Sequence, residues 1–318
     1  MLKRVMTAAA TLAVGVCAAC RPESGAAEST AEKSGPALRS GPIRAVCTIG
    51  MITDSVQRIG GEHVRATGLM GEGVDPHLYK ASPQDNKALG DADVIFYNGL
   101  ALEGKMTDLF VKMARSKPTV AVADAVPEEL RREPAELAGH YDPHVWFDVS
   151  LWIRCVERVG EALADLDAPH ADDYTQRMRA YVGELKDLDR YAREQIAAIP
   201  KDRRVLVTAH DAFGYFGRAY DIEVRAIQGI STESEASVKD INDLVTFIAE
   251  RGVKAVFVES SVSEKNVQAL VEGCRARGHD VTIGGQLFSD AMGKAGTPEG
   301  TYVGMVRHNV DTIVGALR

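Results

Sequence analysis

From Ala171 to Ala198 the chain runs 28 residues without a proline, and Gly183 is its only glycine. Within it Tyr174, Met178, Tyr181, Leu185, Leu188, Ala192 and Ile196 recur every three or four positions, and Ile199 extends the series up to Pro200. That period places them on one face of a single helix. At 1.5 Å per residue the helix would span roughly 42 Å, long enough to lie across two lobes. A coiled-coil seam between two chains is the competing reading, but the stripe covers only four repeats. Just before it, Asp148–Asp167 is also amphipathic, and Pro169 separates the two stretches.

Both flanks of this spine show another rhythm. On the N-terminal side Arg44–Gly50, Val64–Met70, Val94–Asn98 and Thr119–Val122 read as strands, alternating with helices over Ile52–Gly60, Pro83–Leu89 and Glu103–Ser116. On the C-terminal side Val205–Ala209, Glu223–Ile227, Ala255–Glu259 and Val281–Gly284 read as strands, with helices over Asp211–Tyr220, Ser237–Arg251 and Lys265–Arg277. Alternating strands and helices imply parallel sheets with helical crossovers. The expected architecture is α/β, with two parallel-sheet lobes over 43–170 and 200–318 joined by one long rigid helix over 171–199.

The start of the chain reads differently. Lys3 and Arg4 precede an apolar run from Met6 to Val16, which ends in Cys17-Ala18-Ala19-Cys20. This is an export signal over residues 1–19, too short for a membrane span. The small residues before Cys20 match a lipoprotein processing site, with Cys17 as the alternative acceptor and an ordinary cleaved signal as the bland one. Residues 20–42 are rich in Ser, Gly, Ala, Glu and Pro, with almost no large apolar side chain, and read as a lipid-anchored flexible tether. The expected location is periplasmic or cell-surface, held to the membrane through lipid on Cys20.

Loss of residues 1–19 leaves 35 basic and 45 acidic residues, a net charge of −10. Nucleic acid is therefore not an expected partner. Cys47, Cys155 and Cys274 would remain after Cys20, an odd number with no CxxC among them. They allow at most one disulfide and make a thiolate metal site an unfavoured reading.

The eight histidines differ in setting. Asp-Pro-His occurs twice, at Asp75-Pro76-His77 and Asp142-Pro143-His144. Proline fixes the backbone before each ring, and each aspartate is placed to orient a ring nitrogen. His210 directly follows the strand Val205–Ala209, and Asp290 lies past the strand Val281–Gly284. Ligands of parallel sheets gather at the carboxyl ends of strands, so a cleft between lobes could collect all four. Three imidazoles and one carboxylate suit zinc or another first-row divalent ion, and a bidentate aspartate would also suit manganese. Taken singly, each histidine is more often a satisfied ring, and intervals of 67, 66 and 80 residues carry little weight.

Longer strings add to this. Gly71-Glu72-Gly73-Val74-Asp75-Pro76-His77 with Pro83-Gln84-Asp85 resembles the first metal loop of the solute-binding proteins of zinc and manganese ABC importers. Asp142-Pro143-His144-Val145-Trp146-Phe147-Asp148 is similar to their second. Thr208-Ala209-His210-Asp211-Ala212-Phe213-Gly214-Tyr215-Phe216, followed by Gln228-Gly229-Ile230-Ser231-Thr232-Glu233-Ser234-Glu235-Ala236, resembles their third. Phe288-Ser289-Asp290-Ala291-Met292-Gly293 is similar to their fourth. The resemblance covers residues 43–318 and is nearest the TroA type. It implies two α/β lobes joined by a rigid helix, metal held between them by His77, His144, His210 and Asp290, and delivery of that metal to an ABC transporter permease. Some manganese receptors of this kind carry Glu in place of His210. Many dedicated zinc receptors carry a long histidine-rich loop before the second ligand, whereas Val126–Tyr141 holds only His140. The cargo is therefore Zn2+ or Mn2+, with iron left open.

The remaining expectations are a monomer that is not an enzyme, binding that weakens below about pH 6 as histidine protonates, and Glu259 in a hydrogen-bonding role. Trp and Tyr near the site are expected to pack. His63, His140, His170, His279 and His308 are expected to be surface or satisfied rings. Two other functions compete with this reading: a zinc-dependent hydrolase, for which Glu259 is the one appealing general base, and a metal-containing surface adhesin.

Overall fold

The computed structural model describes residues 41–137 and 139–318. The export signal, Cys20 and nearly all of the tether lie outside the described residues. The first sheet contains β1 (Ile43–Cys47), β2 (Val64–Gly68), β3 (Val94–Tyr97) and β4 (Thr119–Ala121), in the order β2-β1-β3-β4. All its pairings are parallel, with Val46 opposite both Thr67 and Ile95. Helices α1 (Gly50–Gly60), α2 (Pro83–Asp91) and α3 (Thr107–Met113) link these strands. α2 starts where the sequence demands. The Ser82 hydroxyl accepts the Asp85 N–H, the Asp85 carboxylate accepts the Ser82 N–H, and Pro83 fills the first turn, so the exposed helix-end donors are satisfied.

The second lobe is built from two parallel pairs. β5 (Val205–His210) pairs with β6 (Glu223–Gln228), and β7 (Ala255–Glu259) with β8 (Thr282–Leu287). β5 runs beside β7. Helices α6 (Gly214–Tyr220), α7 (Val238–Arg251) and α8 (Lys265–Ala276) complete the crossovers. Two boundaries differ from expectation in ways that matter for the site. β5 extends one residue further, so His210 is its last residue rather than the first of a loop. β8 reaches Leu287, past Gly284-Gly285, and brings Asp290 within three residues of a strand end.

The spine is continuous. α4 (Val149–Leu166) and α5 (Ala171–Ala197) form an antiparallel pair, and α5 buries Tyr174, Tyr181, Leu185, Leu188, Ala192 and Ile196 as the stripe required, together with Val182. Gly160 in α4 lets the helices approach, because a Cβ there would sit 2.5 Å from the Met178 sulfur. The stripe is spent inside the chain against α1, α4, α6 and α9, which removes the coiled-coil reading. α9 (Tyr302–Leu317) was not anticipated. It packs on α5 and β8, while Tyr302 at its start stacks on Trp152 and donates its hydroxyl proton to the Trp146 carbonyl at 2.7 Å. One hydrophobic core therefore runs without a break from the first sheet through α4 and α5 to α9, and a second fills the space between β5–β8 and helices α7 and α8. Such packing resists hinge motion more than a flexible linker does. Cys47, Cys155 and Cys274 are buried free thiols distributed between these cores.

Candidate metal centre

The carboxyl ends of the strands bring the site together. His77 ends a loop that continues from β2, where the Leu69 and Met70 N–H groups still bond to the Cys47 and Thr48 carbonyls. His144 lies one short turn before α4, which Asp148 caps through the Ser150 and Leu151 N–H groups. His210 closes β5, and Asp290 follows β8. The loop carrying Asp290 is gripped from three sides. Asn309 of α9 bonds both the N–H and the carbonyl of Phe288, Trp146 donates its indole N–H to the Ser289 carbonyl at 3.1 Å, and the Ser261 and Ser289 hydroxyls meet at 2.9 Å.

Four side chains converge. Nε2 of His77 lies 3.3 Å from Nε2 of His144 and 3.8 Å from Oδ2 of Asp290. Nε2 of His144 is 3.4 Å from Oδ1, and Nε2 of His210 is 3.3 Å from Oδ2, of the same carboxylate. One donor atom from each residue lies within 4.8 Å of all the others. Ligands about 2.1 Å from a tetrahedral ion stand roughly 3.4 Å apart, so the spacing suits a first-row cation. His144 and His210 are fully buried, Asp290 is 1% exposed and His77 5%, so His77 is the member nearest solvent. Nε2 of His210 and both oxygens of Asp290 have no hydrogen-bond partner among the described residues. Buried polar atoms without partners are costly, and here they all face one point.

The far sides of the His210 and His144 rings explain their orientation. Nδ1 of His210 lies 2.5 Å from Oε2 of Glu259, and Oε1 of that carboxylate accepts the His210 backbone N–H at 2.9 Å. Nδ1 of His144 lies 2.8 Å from Oδ1 of Asp142, which also accepts the His144 N–H. A proton on Nδ1 facing a carboxylate leaves the Nε2 lone pair directed into the site. The two Asp-Pro-His strings thus share one backbone turn, since Asp75 also accepts the His77 N–H at 2.9 Å. Beyond that they part. The other oxygen of Asp75 takes the Thr232 hydroxyl at 2.6 Å, and no bond from Asp75 to the His77 ring occurs among the described residues. The expected ring-orienting role holds for Asp142 and not for Asp75.

Electrostatics follow this geometry. Burial pushes the His77 imidazole down to about 4, with Asp290 opposing and the two other rings adding to the fall. Burial pulls His144 the same way, but the carboxylates of Asp142 and Asp290 beside it outweigh burial and raise the ring to about 9. His210 rises well above the usual range because Glu259 and Asp290 overcome its burial. Burial alone would raise Asp290, yet His210 and His144 hold it well below the usual carboxylate range.

The other histidines are elsewhere. His63 stacks on His170 at 3.9 Å, and the two bond Asp173 and Asp167; His279 and His308 bond backbone carbonyls, and His140 is exposed. Three contributors escaped the sequence reading. Trp146 does pack edge-on against His144 at 5.2 Å, but it also ties down Ser289. Asn309 fixes Phe288, and Thr232 holds Asp75. None carries a local signal, because each acts on a backbone group or side chain far away in sequence.

A family model described as "Zinc-uptake complex component A periplasmic" matches residues 45–316. The chain belongs to this family. It is 54% identical over 283 residues to the zinc-binding protein TroA of Treponema pallidum, covering 88% of this chain and 91% of that protein. It is 50% identical over 276 residues to the manganese-binding lipoprotein MntA of Bacillus subtilis, covering 87% and 90%. Among solved structures it resembles the periplasmic zinc-binding protein TroA of Treponema pallidum, with a TM-score of 0.85 over 87% of this chain and 99% of that one. These similarities bear out the two-lobe α/β architecture and the resemblance drawn from the metal-loop strings. The family is one of solute-binding receptors rather than enzymes.

Proposed function

We propose that this chain is the extracytoplasmic receptor of an ABC-type metal importer, which captures Zn2+ or Mn2+ through Nε2 of His77, His144 and His210 and the carboxylate of Asp290. The observation that carries this reading is the meeting of three imidazole nitrogens and a buried carboxylate at metal-ligand spacing, with the His210 nitrogen and both Asp290 oxygens unpartnered among the described residues. Oδ1 of Asp290 faces His144 and Oδ2 faces His210. A carboxylate so placed can bind through one oxygen, giving the four-coordinate arrangement zinc prefers, or through both, giving a fifth contact that manganese accepts. The relatives named for zinc and for manganese agree with a donor set that serves either ion.

Capture takes the ion out of water into a buried pocket whose ligands come from both lobes, and release to the permease requires the lobes to part. We take 43–170 and 200–318 as the lobes and 171–199 as their link. We place the receptor outside the cytoplasm as a monomer anchored through lipid on Cys20, in keeping with relatives named as lipoproteins. The hydrolase reading loses its base, because both oxygens of Glu259 are occupied by His210; the chain acts as a receptor and not as an enzyme. No observation favours the adhesin reading.

Competition titration against a zinc-binding dye tests the assignment. His210→Ala and Asp290→Ala should each lower zinc affinity by several orders of magnitude; affinity within a fewfold of wild type in both would overturn it.

A further inference from the structure

We propose that Arg132 is a positioning residue of the metal centre, acting through Asp142 on His144 and seated against the first residue of α6. The proposal rests on the ligand assignment above and deepens it.

Asp142 is fully buried and both of its oxygens are engaged. Oδ1 accepts the two His144 donors, and Oδ2 is paired with Nη1 of Arg132. A carboxylate withdrawn from water needs a cation and fixed donors. With the guanidinium on one oxygen, the carboxylate plane is set, and the imidazole bonded to the other oxygen follows it. The comparison within the chain is informative: Asp75, in the same turn, has a hydroxyl in place of a guanidinium and does not hold its histidine ring.

Arg132 is itself held on both sides. The Asp142 N–H donates to the Arg132 carbonyl, the Arg132 N–H donates to the Tyr215 hydroxyl, and that hydroxyl donates to the Asp142 carbonyl. These bonds close a ring between the loop before His144 and α6. The guanidinium lies over the backbone of Gly214, where an added Cβ would fall 1.5 Å from Nη1. Gly214 stands four residues after His210, so Arg132 joins the segment bearing one imidazole to the segment following another. Among the described residues between Val126 and Tyr141, this arginine is the side chain bonded to the Asp142 carboxylate.

The test uses the metal ions themselves. Arg132→Met should weaken zinc binding roughly 10–100-fold, the range for loss of a group that orients a ligand, and should alter the visible absorption of bound Co2+, which reports ligand geometry. Arg132→Lys keeps a cation with one donating nitrogen, and should recover most of that loss. Gly214→Ala displaces the guanidinium from the opposite lobe and should weaken binding in the same direction, which keeps the test available if Arg132→Met folds poorly. In an Asp142→Asn background, Arg132→Met should add less than a threefold loss, because the two act in series. Wild-type affinity and Co2+ spectrum in Arg132→Met and Gly214→Ala, or a full additional loss in the Asp142→Asn background, would overturn the proposal. His144→Ala serves as the control: a strong loss there beside a silent Arg132→Met rejects this inference alone, whereas a silent His144→Ala rejects the ligand assignment.

Discussion

Replacing Glu259 by glutamine exchanges one acceptor oxygen for an amide nitrogen at a residue that serves two donors of His210, its backbone N–H and its Nδ1–H. Glutamine can accept only one of them. Before metal binds, the ring has an escape: it can keep a proton on Nε2, facing Asp290 3.3 Å away, and give up the one on Nδ1, which then accepts from the new amide. Once metal occupies Nε2 that escape is closed, and one buried N–H must face another donor. The cost therefore falls on the loaded state. A buried unsatisfied donor costs about 1–3 kcal/mol, which at about 1.4 kcal/mol per decade is a loss of roughly 5- to 150-fold in affinity. Chelator competition with zinc at pH 7.5 measures this loss, and thermal melting of the metal-free variant should show a smaller one. An unaltered dissociation constant, or an equal loss of stability without metal, would refute the reasoning.

Other predictions draw on different parts of the molecule. His144 is raised to about 9, above the ordinary 6.5 or so; before metal binds its proton stabilises the fold fully below about 6.5, and that contribution fades as pH rises to 9. Zinc must displace the same proton, so affinity should climb over this window, and calorimetry in two buffers of different ionisation enthalpy at pH 7.5 should detect net proton release. Weakening thus begins well above the value near 6 expected for an unperturbed histidine. Leu188→Ala in the fully buried face of α5 should cost about 2–5 kcal/mol in urea unfolding. Trp146→Phe keeps a ring beside His144 but strips the donor from the Ser289 carbonyl; it should cost about 1–3 kcal/mol by the same assay.

The elements legible in the sequence were those with local causes. The 27-residue α5 follows from one apolar stripe, and α2 from a capping box with proline in its first turn. The strands were legible as short apolar runs, but their ends were not. β8 continues through Gly284-Gly285-Gln286, residues with little strand preference of their own, because pairing with β7 carries them. α9 was missed because it packs on α5, on β8 and, through Tyr302, on the first lobe, none of which its local pattern announces. At the site, the Asp-Pro-His repeat exposed two histidines, strand ends pointed to His210 and Asp290, and the longer family strings tied the four together. The supporting cast of Arg132, Thr232, Trp146 and Asn309 is invisible in sequence, because each acts across 20 to more than 150 residues or through a neighbour. Position in the fold also separates the twin aspartates: Asp75 meets a hydroxyl from the second lobe, Asp142 a guanidinium from its own loop.

The most direct test of the central claim is anomalous diffraction at the zinc edge from crystals grown with one equivalent of the ion. The account predicts one strong peak at about 2.0–2.2 Å from Nε2 of His77, His144 and His210 and from a carboxylate oxygen of Asp290. A peak bound elsewhere, or an ion in the cleft that leaves His210 or Asp290 uncoordinated, would contradict it.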